Sequence, residues 1–79
     1  MTETTAAVQV GGNVRAELAR AGKTQAWLAD AIGISQQSVS DRLRGKSPFD
    51  VNELARVADA LGLDAASLMS VTVSSAQAS

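Results

Sequence analysis

The sequence predicts an all-α domain of five short helices, and three observations carry that prediction. Apolar residues recur at spacings of three and four. Gly22, Gly33, Gly45 and Gly62 interrupt those runs at helix length. No stretch alternates apolar and polar as a half-buried strand would. With 79 residues there is room for a single small domain with a modest core.

The elements follow in order. Val10, Val14 and Leu18 lie at i, i+4 and i+8 and define a first helix closed by Ala21-Gly22, although Gly11-Gly12 weakens its first turn. Thr24 is an N-cap for a second helix, with Leu28 and Ile32 as its apolar stripe and Gly33 as its end. Ser35 caps a third helix that runs through Val39 and Leu43 to Gly45. The fourth has the fullest local grammar. Asp50 and Glu53 have capping-box spacing, and Phe49 and Leu54 have the spacing of a hydrophobic staple. Leu54, Val57, Ala58 and Leu61 form its buried stripe, and Gly62 ends it. Asp64 caps a last short helix holding Leu68 and Met69. Residues 1–7 and 70–79 are small and polar and read as a disordered arm and a flexible tail around a domain of 8–69. Val71-Thr72-Val73 has strand character and suits pairing with a partner chain.

Composition closes several function classes. Without Cys there is no disulfide framework or thiolate zinc site, and without His no imidazole base, catalytic triad or histidine metal ligand. No carboxylate pair, phosphate loop or metal cluster is visible, so the expectation is a non-enzyme with no cofactor, metal or small-molecule ligand. The N-terminus lacks the charged and apolar regions of a secretory signal, and no apolar run spans a membrane. The expected location is the cytoplasm. The net charge of −1 suggests no polyanion partner at first sight, yet it is unevenly spread. Residues 31–49 carry +2 and residues 50–79 carry −3.

The informative stretch runs from Thr24 to Ser47. Two short helices around a tight Gly-containing turn form a helix-turn-helix. In the third helix only Val39 and Leu43 point inward; Gln37, Ser40, Asp41 and Arg44 share the opposite side, and Gln36 projects from the tip. The run Lys23-Thr24-Gln25-Ala26-Trp27-Leu28-Ala29-Asp30-Ala31-Ile32-Gly33-Ile34-Ser35-Gln36-Gln37-Ser38-Val39-Ser40 resembles the Cro/C1-type (XRE) helix-turn-helix of phage repressors. The likeness continues through Arg44-Gly45-Lys46 and Glu53-Leu54-Ala55-Arg56-Val57-Ala58-Asp59-Ala60-Leu61-Gly62-Leu63, covering roughly residues 8–69.

That resemblance implies a compact lambda-repressor-like domain whose third helix enters the major groove of double-stranded DNA while the second crosses the backbone. It makes Gln36 and Gln37 base readers, favouring A·T because a Gln amide pairs with adenine N6 and N7. Ser40 is in position for a base or a phosphate. Asp41 suits cytosine N4, or orients Arg44 or a Gln. Phosphate contacts fall to Thr24, Gln25, Arg44, Lys46 and Ser47, with backbone N–H groups near Gly45 adding to them. Arg42 lies on the flank, in reach of DNA, Asp41 or Asp30. Many family members bury an Arg–Glu pair where this chain has Leu18 and Leu43, so these leucines are expected to touch in the core. Trp27 covers the core edge or anchors a partner. Leu63, Leu68 and Met69 form a small satellite core under the last helix or, as the resemblance implies, a homodimer contact on a two-fold symmetric operator. The implied function is a sequence-specific transcriptional regulator, Cro-like or a small repressor, of phage, prophage or bacterial type. The competing reading is a protein-interaction module on the same fold, antitoxin- or antirepressor-like.

Overall fold

The computed structural model describes residues 5–69, and the tails at 1–4 and 70–79, including Val71–Val73, lie outside the described residues. Five α-helices follow one another: α1 Ala6–Ala21, α2 Gln25–Ile32, α3 Gln36–Leu43, α4 Val51–Leu61 and α5 Ala65–Met69. No strand occurs among the described residues.

Each expected cap is present. Thr24 Oγ1 accepts from Trp27 N at 3.0 Å and Ser35 Oγ accepts from Ser38 N at 3.0 Å. In α4 the capping box is reciprocal: Glu53 N donates to Asp50 Oδ1 at 2.7 Å, and Asp50 N donates to Glu53 Oε1 at 3.1 Å. Gly33 takes φ 76°, a left-handed conformation costly for a side-chain-bearing residue, and so turns α2 sharply into α3. The first helix begins earlier than its apolar spacing suggested. Thr5 caps it, accepting from Val8 N at 3.2 Å, so Ala6 and Ala7 belong to α1 rather than to a disordered arm.

Helices α1 to α5 enclose one core of Val14, Leu18, Leu28, Ala29, Ile32, Val39, Leu43, Phe49, Leu54, Val57, Ala58 and Leu68. Leu18 and Leu43 are both buried in this cluster. Trp27 is half-buried against it, at the core edge as expected. Leu68 is fully buried, and its carbonyl accepts from Asn13 Nδ2 of α1 at 3.0 Å. It is therefore a core residue and not a dimer contact: α5 is short and is held by inserting Leu68 under α1.

Gly11 corrects the local reading of α1. It is buried, and a Cβ there would lie 2.5 Å from Arg42 O and 2.6 Å from Leu43 O. Glycine lets α1 approach the backbone at the end of α3, so the residue that costs helix propensity sets where α3 sits.

Candidate nucleic-acid interface

Helix α3 is anchored from below by Val39 and Leu43, exposed 0% and 2%. Its opposite face is polar. Gln36, Gln37 and Arg44 are exposed, and Ser40 and Asp41 are half-buried. Asp41 organises this face. Its Oδ1 accepts from Gln37 Nε2 at 3.1 Å and from Arg44 Nη2 at 3.0 Å. The Gln37 bond holds the Asp41 carboxyl below the usual carboxylate range against an opposing desolvation, with the Arg44 bond and the nearby Lys46 and Arg44 charges acting in the same direction as the Gln37 bond. Asp41 therefore orients both residues that the sequence offered it as alternatives.

Arg42 does something else. Its Nε donates to Glu53 Oε1 at 2.7 Å and its Nη2 to Glu53 Oε2 at 3.1 Å, a side-on bidentate pair. Its Nη1 also donates to Ser38 O at 3.2 Å. The expectation that it faces DNA, Asp41 or Asp30 is corrected: Arg42 is turned beneath α3 and ties that helix to the start of α4. Glu53 is buried, and its Oε1 serves the Arg42 pair and the capping box at once. Among the described residues no buried side-chain polar atom is left unsatisfied.

The turn after α3 is also spoken for along its backbone. Gly45 N donates to Arg42 O at 3.1 Å and Lys46 N to Asp41 O at 2.9 Å, with Ser47 N on the same oxygen at 3.4 Å. These N–H groups close the helix end and are not available to an anion, contrary to the expectation. The Arg44 and Lys46 side chains are exposed, and the Ser47 side chain belongs to a half-buried residue.

At the other edge, Thr24 and Gln25 are exposed at the N-terminus of α2, where unpaired backbone donors favour an anion. Thr24 Oγ1 accepts its cap bond, which leaves the hydroxyl proton free to be donated. Sequence reasoning passed over Lys23. Its Nζ lies 5.1 Å from the Trp27 ring centroid, so it adds an ordered cation to this edge. The i, i+4 spacing of Lys23 and Trp27 was the available signal.

Among the described residues no cluster of acids could hold a metal ion, and no helix is long and apolar enough to cross a membrane. A helix-turn-helix family model matches residues 14–68. The chain belongs to the helix-turn-helix family, Cro/C1 (XRE) type. This helix-turn-helix chain is also similar to two solved structures. The clp gene regulator ClgR from C. glutamicum is 30% identical, with a TM-score of 0.80 over 85% of this chain and 87% of that one. The restriction-modification controller protein C.AhdI from Aeromonas hydrophila is 24% identical, with a TM-score of 0.73 over 77% of this chain and 92% of that one. At that identity the second likeness shows the lambda-repressor-like fold alone. No curated protein matches the sequence.

Proposed function

We propose that this protein is a DNA-binding transcriptional regulator that reads the major groove with α3. The observation that carries the reading is the bonded Gln37–Asp41–Arg44 face, in which half-buried Asp41 holds exposed Gln37 and Arg44 on the second helix of a helix-turn-helix, flanked by Lys46. Family membership and the likeness to the clp gene regulator support the same reading.

In this account Gln36, Gln37 and Ser40 meet base edges, and Asp41 lies among them. Thr24, Gln25, Arg44, Lys46 and the Ser47 hydroxyl meet phosphates on either side. Arg42 is withdrawn from the phosphate set, because its guanidinium is turned onto Glu53 and Ser38 with all three nitrogens bonded there. The protein is of the small repressor or Cro-like kind, phage-borne or bacterial, and acts in the cytoplasm without a cofactor. It binds as a homodimer on an operator of two-fold symmetry. Met69, 47% exposed, and Leu63, half-buried, remain the dimer candidates. Met69 borders an apolar groove of about 250 Å³ lined by Val10, Phe49, Val51 and Leu54 among others, which suits a second copy. Substitution Met69→Asp lowers the dimer fraction on DNA in this account, as read by analytical ultracentrifugation of the complex.

The function is tested by selecting bound duplexes from random DNA and measuring mobility shifts on the winners. The expected result is one enriched, symmetric site with half-sites about 10 base pairs or a multiple apart. Gln37→Ala and Arg44→Ala weaken binding while circular dichroism shows the fold retained. No enrichment over random sequence refutes the reading and leaves the same fold to a protein partner, a role that the −3 charge of residues 50–79 would suit.

A further inference from the structure

Asp41 places an acid on the face that meets DNA under the proposed function, where a carboxylate repels phosphate. Other acids are engaged at helix starts: Asp50 and Glu53 form the capping box of α4, and Asp64 caps α5. A carboxylate retained among base readers needs an account, and its bonds supply one.

A Gln amide turned over by half a rotation exchanges its oxygen and nitrogen, so a free Gln37 presents either group to a base. An ionised carboxylate only accepts. Bonding to Asp41 Oδ1 at 3.1 Å therefore requires the Gln37 nitrogen on the Asp41 side. The amide oxygen and the second amide hydrogen are then left together for a ligand. That acceptor–donor pair complements N6–H₂ and N7 of adenine. The same Asp41 oxygen holds Arg44 Nη2 at 3.0 Å, although the Arg44 side chain is 57% exposed. Arg44 is thereby partly neutralised and its reach shortened.

We propose that Asp41 is a positioning residue for sequence discrimination, fixing the Gln37 amide for A·T readout and restraining Arg44 from indiscriminate phosphate binding. The inference rests on the DNA-binding reading above. Affinity for arbitrary DNA is lowered, and the ratio between right and wrong sites is raised.

The test compares wild type, Asp41→Asn, and Asp41→Asn combined with Gln37→Ala or with Arg44→Ala, on the selected duplex and on its scrambled sequence. Asn keeps the size of Asp but both donates and accepts, so it satisfies either Gln37 orientation and leaves Arg44 without its opposite charge. Asp41→Asn is expected to raise affinity for scrambled DNA about three- to tenfold and to cut the selected-to-scrambled ratio about tenfold, within the range of one bidentate base contact. In the Gln37→Ala background it changes base preference no further, and in the Arg44→Ala background most of the gain on scrambled DNA disappears. Free of DNA, the Gln37 side-chain amide resonances are expected to shift as Asp41 is protonated, which reports the bond, while the selected-to-scrambled ratio reports its role in discrimination. An unchanged ratio in Asp41→Asn, with wild type still selecting a site, overturns this inference alone. A preference change equally large in the Gln37→Ala background also overturns it, and makes Asp41 itself a base reader. Wild type that selects no site overturns the inference together with the function beneath it.

Discussion

Arg42 and Arg44 stand two residues apart at the end of α3, and each gives a guanidinium nitrogen to a carboxylate. Arg42 meets Glu53 with two bonds, and that side-chain pair is 22% and 7% exposed. Arg44 meets Asp41 with one bond, and its side chain is 57% exposed. The first pair joins two helices through residues 11 apart in sequence and shares Glu53 with a helix cap. The second stays within one turn and lies on the surface. A buried pair is costly to break, because the remaining partner is left uncompensated, whereas an exposed one is screened and can be exchanged for a ligand. The same chemistry is thus used once to position α3 and once to equip it.

The largest expected effect breaks the first pair. Glu53→Gln removes the charge that faces Arg42 and weakens the capping box, and is expected to cost about 3 kcal/mol in denaturant unfolding. Asp41→Asn should leave the unfolding midpoint nearly unchanged. Equal losses from the two would erase the distinction.

Next come the glycines of α1. Gly11→Ala drives a methyl into the backbone carbonyls of Arg42 and Leu43, and is expected to destabilise by about 2 kcal/mol, since those atoms cannot swing aside. Gly12→Ala meets nothing within 4 Å and is expected to stabilise by about 0.5–1 kcal/mol through helix propensity. Melting curves of both variants check the sign of each.

The smallest effect concerns acid. The folded-state pKa of Asp41 is lowered, so its bonds contribute fully above its unfolded value near 3.9 and are lost as pH falls through the folded value. A carboxyl titration by NMR should place Asp41 below an ordinary aspartate, with the displacement reduced in Arg44→Ala and Gln37→Ala. No displacement would mean that the two bonds are absent in solution.

What could be read beforehand was what depends on neighbours in sequence. The caps at Thr24, Ser35, Asp50 and Asp64 each concern residues within a few positions, and all are present. The face of Gln37, Asp41 and Arg44 followed from 100° per residue, and their bonds agree with it. What was missed depends on how helices cross. Arg42 was weighed against Asp41 and Asp30, but its partner Glu53 comes within reach only once α4 packs beside α3. Gly11 looked like a local weakness because the carbonyls it approaches are 31 and 32 residues away. Leu68 was open between a core and a dimer contact, because only the packing of α5 under Asn13 and α1 decides for the core. Ala6 and Ala7 were assigned to an arm because a Thr/Ala run carries no apolar stripe, whereas Thr5 caps them into α1.

The central claim, that Arg44 faces DNA while Arg42 faces the fold, is tested most directly by the salt dependence of binding. With about four to six phosphate contacts per dimer, the slope of log K against log salt is expected to be about −4 to −5 for wild type. Arg44→Ala should make it less steep by about 2, one cation per subunit. Arg42→Gln, measured where circular dichroism shows it folded, should leave the slope unchanged. A wild-type slope near zero, or equal changes from the two arginine variants, would contradict the account.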